Sequence, residues 1–246
     1  MTMTMTALPN SLEEAIHQAR VAVSAAVTAG VPRMTVEFVD PELKGMPVAQ
    51  QFYPVLQELG LTFKVYFPDA GAAALARRDW GNPGFVIRGV DELGSQVEAA
   101  DQLYLFVEPS AVEVSQVEEI CNLAGDRFIV MLNPKLEDVA TIGIGYAGRQ
   151  LRERFLSTLE PVYYLRPMET AVLMRAYPAP WQLWQPTPEA SYQLAAEFTQ
   201  RPAGEAIDRV LMADAAKGDG GPAAGASPRR GGFLSELQNF IRALTQ

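Results

Sequence analysis

The stretch Phe128-Ile-Val-Met-Leu132, followed by Asn133-Pro134, sets the pattern on which this chain is built. Five consecutive apolar residues stopped by Asn-Pro predict a short buried strand. A loop then leads to the glycine-rich segment Gly143-Ile-Gly-Tyr-Ala-Gly148 and to a predicted helix, Arg149–Leu159. A buried strand, a loop and a helix form the repeating unit of α/β proteins, so this stretch indicates an α/β fold.

The same alternation runs along most of the chain. Ser11 and Glu14 have capping-box spacing, which predicts a helix from Leu12 that ends before Gly30. Further predicted helices are Val48–Leu59, Ala72–Trp80 and Val114–Leu123, and further predicted strands are Met34–Val39, Leu61–Phe67, Phe85–Val90, Leu103–Val107 and a closing hairpin of Val162–Leu165 with Ala171–Tyr177. We therefore expect residues 8–211 to form one three-layer α/β sandwich with a central, at least partly parallel sheet.

The composition bounds the classes of function. A net charge of −9 argues against nucleic-acid binding, which needs a positive surface. One histidine and one cysteine leave no ligand set for zinc, so we expect no metal and no cofactor. The segment Met1–Ala7 lacks the features of a secretory signal, and no run of about 18 apolar residues exists. We therefore expect a cytoplasmic protein.

The composition changes near residue 212. Residues 212–232 are rich in Gly, Ala and Pro and predict a flexible linker. Residues 233–246 then predict an amphipathic helix, whose apolar stripe consists of Phe233, Leu234, Leu237, Phe240, Ile241 and Leu244. The segment from Arg229 onward contains three arginines and one glutamate, so its net charge is positive while the rest of the chain is strongly negative. The stripe is expected to dock on a membrane or a partner; docking on the chain's own domain is the alternative.

The segment Gly143–Gly148 matches the G-x-G-x-x-G pattern of dinucleotide-binding folds. That site needs its first glycine immediately after a buried strand, and here eight residues separate Pro134 from Gly143. We therefore interpret the segment as a glycine-rich turn before a helix. Arg149 and Arg152 would lie in the first turn, where a cation opposes the helix dipole, so either Glu137 or Asp138 or a bound anion should lie nearby.

Several short blocks resemble a domain of unknown function found in cyanobacteria and plastids. They include Asn133–Asp138, Gly145–Phe155, Tyr163–Pro167, Arg175–Trp181 and the earlier blocks Pro9–Glu14 and Val65–Asp69. The family includes a chloroplast protein needed for photosystem II accumulation and a domain fused to a plastid adenylate-kinase-like protein. The resemblance implies a photosynthetic organism and a role in thylakoid biogenesis, and it supplies no catalytic residues.

Three groups of residues are candidates for function. The anion- or partner-binding candidates are Asn133, Gly143, Gly145, Gly148, Arg149 and Arg152. Tyr177, Trp181 and Trp184 lie in a proline-rich segment that is predicted to be irregular, and they are candidates for an aromatic partner surface, although they could equally cover the core. The strand-end acids Glu37, Asp40, Asp69 and Glu108 could line a cleft, but such acids also cap helices and begin turns. His17 is expected to be exposed on the polar face of its helix.

Three hypotheses follow. The first, which rests mainly on the resemblance, is a non-enzymatic assembly factor for photosystem II or a similar complex, peripheral at the cytoplasmic face of the thylakoid. Its partners would be photosynthetic membrane-protein subunits or assembly factors. The second is a nucleotide- or phosphometabolite-binding protein or enzyme that uses the Gly143–Arg152 loop. The third is a soluble protein whose tail packs on its own core.

Overall fold

The computed structural model describes residues 7–92, 97–137, 146–187 and 191–218. The strands are β1 (Arg33–Phe38), β2 (Phe63–Phe67), β3 (Val86–Gly89), β4 (Leu103–Val107), β5 (Phe128–Leu132), β6 (Glu160–Pro167), β7 (Val172–Ala176), β8 (Trp181–Pro186) and β9 (Tyr192–Phe198). The helices are α1 (Leu12–Thr28), α2 (Gly45–Phe52), α3 (Pro54–Glu58), α4 (Ala70–Asp79), α5 (Val114–Ala124), α6 (Tyr146–Arg154) and α7 (Gly204–Gly218), with a 3₁₀ turn at Leu156–Thr158.

The nine strands of the described residues belong to one sheet with the order β3-β2-β4-β5-β1-β6-β7-β8-β9. From β3 to β6 every neighbouring pair is parallel, and from β6 to β9 every pair is antiparallel. The predicted α/β class and its partly parallel sheet are confirmed. β1 lies in the middle of the sheet, between β5 and β6, although it comes first in the chain.

Helices cover both faces of the sheet, which gives three layers. Helices α1 to α4 pack on one face, against Val36 of β1 and Val65 of β2 among others. Helices α5 and α6 pack on the opposite face against the parallel strands, and α7 packs on that same face against β7 and β8. Residues alternate between the two faces along each strand, so β4 contributes Leu105 to the first core and Tyr104 to the second.

Local chemistry explains two helix boundaries. The Ser11 side chain accepts a hydrogen bond from the Glu14 amide at 3.1 Å and so begins α1, as its spacing predicted. The Glu14 carboxylate bonds the Asn10 amide instead of the Ser11 amide that a capping box would use. The single helix predicted from Val48 to Leu59 is divided into α2 and α3 at Pro54, because proline cannot donate the helical hydrogen bond.

The antiparallel end of the sheet differs from the sequence prediction. Trp181–Pro186 was expected to be irregular because prolines surround it, yet it forms β8 and pairs with β7 and β9. The hairpin of β6 and β7 therefore does not close the sheet. Helix α7 continues to Gly218, so the linker predicted from residue 212 starts at least seven residues too early. The predicted amphipathic helix, residues 233–246, lies outside the described residues.

The strand order creates a switch point between β5 and β1. The helices that follow β1 and β2 lie on the α1 face, whereas the helices that follow β4 and β5 lie on the opposite face. Connections therefore leave β1 and β5 toward opposite faces of the sheet at the carboxyl ends of these neighbours, as they also do at β2 and β4. Parallel α/β proteins bind ligands or partners at such a place.

Candidate functional site

β4 and β5 end in the same way at this edge of the sheet. Glu108 follows β4 with a φ of 49°, and Asn133 follows β5 with a φ of 48°. Each is succeeded by a proline, and Ser110 and Lys135 two residues later form a parallel bridge. A left-handed conformation is uncommon for residues other than glycine and costs free energy, and such strain is concentrated at functional sites. The repeat of this corner on adjacent strands makes the edge our candidate site.

Asn133 ties the two strands of the switch point together. Its backbone N–H donates to the Val36 carbonyl at 2.8 Å, and its side-chain oxygen accepts from the backbone N–H of Phe38 at 2.7 Å. The side chain is nearly buried, with 9% of the residue exposed. Asn133 thus continues the hydrogen bonding between β5 and β1 beyond the end of β5. This explains its place in the site without any direct contact to a ligand.

The Glu108 carboxylate lies against the start of α2. A Cβ added to Gly45 would lie 2.2 Å from the Glu108 carboxyl carbon, so only glycine leaves room for this side chain. The Glu108 carboxylate is also 3.7 Å from the Lys135 ammonium. A carboxylate near a helix N-terminus is stabilised by the helix dipole. The Glu108 carboxylate therefore occupies the place at the start of α2 where an anionic ligand would otherwise bind.

The rim of this edge exposes large apolar side chains. Val39 follows β1 and is 39% exposed, Val112 lies between β4 and α5 and is 74% exposed, and Tyr146 is the first residue of α6 and is 70% exposed. All three occupy connections that leave the carboxyl ends of the parallel strands. Three such side chains around one edge, with charged groups between them, resemble a protein-binding surface more than a small-molecule pocket.

The glycine and arginine candidates are only partly described. β5 ends at Leu132, as predicted, and Gly143 and Gly145 lie outside the described residues. Gly148 is buried inside α6, and Arg149 is exposed. Because α6 begins at Tyr146, three residues earlier than predicted, Arg152 lies in its last turn, where a cation is favourable, so the dipole argument for Arg152 is wrong.

An acidic partner for this segment was nevertheless predicted correctly. The Arg152 Nε atom donates to the Glu137 carboxylate at 2.7 Å. Arg154, which was not singled out from the sequence, forms a bidentate pair with Glu118 of α5, at 2.7 and 2.8 Å. These two pairs connect α6 to the neighbouring segments. In each pair a carboxylate of the chain neutralises an arginine of α6.

The aromatic candidates lie in the core. Trp181 is 1% exposed and packs with Tyr164 on the α7 face, and Trp184 is 7% exposed and packs on the α1 face. Neither indole can anchor a partner in this structure, which corrects the partner-surface hypothesis in favour of its alternative. Tyr177 is half-buried against the core beside Trp184.

The other strand-end acids are engaged by the chain itself. Asp69 caps α4 through the Ala72 amide at 2.8 Å, and Asp40 accepts from the Glu42 amide at 2.8 Å. His17 is exposed, as predicted. Cys121 is fully buried, and burial raises the pKa of its thiol to about 12, which keeps it protonated. Among the described residues, no group of three or more His, Cys, Asp or Glu side chains could hold a metal ion.

Two features of the site were not found from the sequence. The exposed positions of Val39, Val112 and Tyr146 depend on packing, because each follows an apolar pattern that is also typical of buried residues. The left-handed corners left one signal, the X-Pro dipeptides at Glu108 and Asn133 directly after apolar strands, but X-Pro alone predicts only a stop. No helix in the described ranges is long and apolar enough to cross a bilayer.

The family comparison agrees with the blocks noted in the sequence. The family model described as a domain of unknown function, DUF1995, matches residues 9–209. That range begins just before α1 and ends within α7, so it includes the whole sheet, the carboxyl-edge corners and both faces of helices. The match covers most of the chain, and the protein therefore belongs to the DUF1995 family.

Proposed function

We propose that this protein is a non-enzymatic accessory factor that binds a subunit or assembly factor of a photosynthetic membrane complex, with photosystem II as the first candidate. The binding surface is the carboxyl edge at the β5/β1 switch point. The observation that carries the proposal is the rim of Val39, Val112 and Tyr146, three exposed apolar side chains on neighbouring connections. The choice of photosystem II rests on the sequence resemblance alone.

The state of three acids that follow the strands at this edge, Asp40, Asp69 and Glu108, supports binding over catalysis. General acid–base chemistry needs a carboxyl group free to reach substrate. Within the described ranges Asp40 and Asp69 serve backbone amides, and Glu108 lies between Gly45 and Lys135. An interface, by contrast, gains from an apolar centre whose neighbouring charges are already paired, since those charges need no new partner when water is excluded.

The C-terminal segment supplies the second part of the proposal. Its predicted stripe, from Phe233 to Leu244, holds six apolar side chains, each able to contribute about 1.5–3 kcal/mol on burial before ordering costs. Arg229, Arg230 and Arg242 would add attraction to anionic headgroups of up to about 1 kcal/mol each. We propose that this segment holds the protein at the cytoplasmic face of the thylakoid while the edge of the domain binds its partner.

The alternative, a nucleotide or phosphometabolite site at Gly143–Arg152, has less support. Of its two arginines Arg152 is paired with Glu137, which leaves Arg149 as the exposed cation among the described residues of this segment. An anion site normally combines several backbone and cationic donors.

The test is affinity purification of tagged protein from a photosynthetic cell. The Val112→Ser/Tyr146→Ser double variant removes the most exposed apolar side chains of the rim. Leu75→Ser is the matched control, because Leu75 is 47% exposed on α4, away from the carboxyl-edge connections. We expect the rim variant to lose photosystem subunits or assembly factors, and the control to retain them. Equal recovery with both variants would reject the edge as the binding surface.

A second arm deletes residues 219–246, which leaves α7 intact. We expect the shortened protein to leave the thylakoid fraction and to keep its melting temperature. If it melts several degrees lower and still sediments with thylakoids, the segment packs on its own domain and the membrane part of the proposal fails.

A further inference from the structure

A second polar site lies on the face of β1 that α5, α6 and α7 share. Met34, Val36 and Phe38 point into the core under α1, so Thr35 and Glu37 point to the opposite face. A central parallel strand covered on both faces is usually apolar throughout. Two polar side chains on one face of the middle strand are therefore a departure that packing alone does not explain.

The neighbouring strand extends this polar patch. Glu37 is the register partner of Tyr164 across β1 and β6. The Tyr164 hydroxyl accepts a hydrogen bond from the Arg201 Nη2 atom at 2.8 Å, and the Arg201 guanidinium carbon lies 4.5 Å from the centre of the Tyr164 ring. Arg201 itself is exposed, just before α7. One tyrosine thus separates a carboxylate from a guanidinium.

Neither of these charges is neutralised by an ion pair. Glu37 accepts a hydrogen bond from the Thr35 hydroxyl at 2.9 Å, and among the described residues neither Glu37 nor Arg201 forms an ion pair. Desolvation raises the pKa of Glu37 by more than the Thr35 hydrogen bond and the charge of Arg201 lower it. Keeping such an acid costs stability, which makes Glu37 a candidate for a binding role.

We infer that Glu37 and Arg201, held in place by the buried Thr35 and Tyr164, form a binding site for a small zwitterion of the amino-acid class. The ligand's carboxylate would bind the free N–H groups of Arg201, and its ammonium group would bind Glu37. A zwitterion fits because it neutralises both charges at once, whereas a simple anion leaves Glu37 unpaired and a simple amine meets the repulsion of Arg201. The site uses none of the rim residues and does not depend on the proposed partner.

The test is titration of the full chain, followed by ¹H–¹⁵N spectra, with three matched probes. L-alanine carries both charged groups, propanoate lacks the ammonium group, and ethylamine lacks the carboxylate. L-glutamate, L-arginine and L-tryptophan sample larger side chains. We expect saturable shifts of the Thr35, Glu37 and Tyr164 amides with at least one amino acid at up to roughly 10 mM, and none with propanoate or ethylamine.

The variants Glu37→Gln and Arg201→Gln should each weaken this binding about tenfold or more, since each removes a charge-assisted hydrogen bond. Arg78→Gln, which removes an exposed arginine on α4, on the other side of the sheet, is the control and should bind like the wild type. Denaturation curves of each variant separate lost binding from lost folding. Absence of saturable shifts with every amino acid, or equal affinity of the two site variants and the wild type, would overturn the inference.

Discussion

Asp101 is buried and Glu37 is half-buried, and both carboxyl groups lie on the same face of one sheet. They differ in the number of groups that bond them. Asp101 has Lys64 at 3.0 Å, and its Oδ2 atom also accepts from the Glu98 amide and the Tyr104 hydroxyl at 2.7 and 2.9 Å. Glu37 has only the Thr35 hydroxyl. Burial by itself therefore does not decide whether an acid stabilises or destabilises the folded state. Its hydrogen-bond and ion-pair partners decide this.

The pKa values follow from these partners. For Asp101 burial acts to raise the pKa, but the hydrogen bonds from Glu98, Lys64 and Tyr104 lower it by more, so the pKa lies below its ordinary value. For Glu37 burial outweighs Thr35 and Arg201, and the pKa is raised. Asp101 therefore stabilises the folded chain at neutral pH, whereas Glu37 destabilises it, and the residue with the unfavourable balance is the better candidate for binding.

The largest effect is expected from Lys64→Met. Lys64 is 2% exposed, so its removal leaves Asp101 buried without a cation. Loss of one partner of a buried pair costs about 3–5 kcal/mol, which urea unfolding would measure. Arg20→Met is the control, because the Arg20–Glu58 pair is partly exposed and should contribute far less. Equal losses of unfolding free energy for both variants would show that the Lys64–Asp101 pair contributes no more than a partly exposed pair.

Asp101→Asn should cost about 1–3 kcal/mol at pH 7, because it removes a charged acceptor of three donors. A lowered pKa means that the stabilisation is present above the unfolded value, about 3.9, and is lost as pH falls through the folded value. The difference in unfolding free energy between wild type and variant should therefore shrink steadily on acidification below about pH 5. A difference that is constant from neutral to acidic pH would contradict the assignment.

Glu37→Gln should have the opposite sign. Removing a half-buried charge that has no ion-pair partner is expected to raise the unfolding free energy by about 0.5–2 kcal/mol at pH 7. Since the pKa is raised, the folded wild type binds a proton more readily than the unfolded chain and gains stability as pH falls toward the unfolded value, about 4.3. The advantage of the variant should therefore disappear on acidification. A destabilised variant at pH 7 would mean that Glu37 has a stabilising partner.

The smallest effect is expected from Arg201→Met. Arg201 is exposed and pairs with the Tyr164 ring and hydroxyl, so its loss should cost about 0.5–1 kcal/mol. Comparison with Lys64→Met tests the contrast directly, because Lys64 pairs with Asp101 whereas Arg201 forms no ion pair with Glu37. In the Glu37→Gln background the cost of Arg201→Met should fall only slightly, because the charge of Arg201 lowers the pKa of Glu37 without forming an ion pair with it. A coupling above about 0.5 kcal/mol in this double-mutant cycle would refute that separation.

Much of the fold could be predicted because its signals are local. Short apolar runs bounded by Pro, Gly and Asn identified the parallel strands, and β4 and β5 match their predicted bounds. β8 was missed because Tyr177-Pro-Ala-Pro180 reads as irregular, whereas pairing with β7 and β9 supplies the hydrogen bonds that stabilise a strand there. The same pairing buries Trp181, so of the two alternatives for this aromatic cluster the structure shows the position in the core.

The site was predicted less well. Asn133 was selected and does lie at the switch point, and the acidic partner of Arg152 was expected. The importance of Glu37 over Asp40, Asp69 and Glu108 could not be predicted, because all four are acids near strand ends. Only the packing shows that Asp69 caps a helix while Glu37 faces a tyrosine from β6.

Residues close together in the chain were sufficient to predict the α/β class, the cap at Ser11, the strand stop at Asn133-Pro134 and the family. The strand order, the corners at the switch point and the partners of Asp101 and Glu37 are visible only in the packed structure. These depend on which distant segments pack together, and a hydrogen bond or ion pair between distant residues leaves no periodic trace in either segment. Lys64 therefore lies beside Asp101, and Glu37 beside Tyr164, for reasons that only the packed sheet supplies.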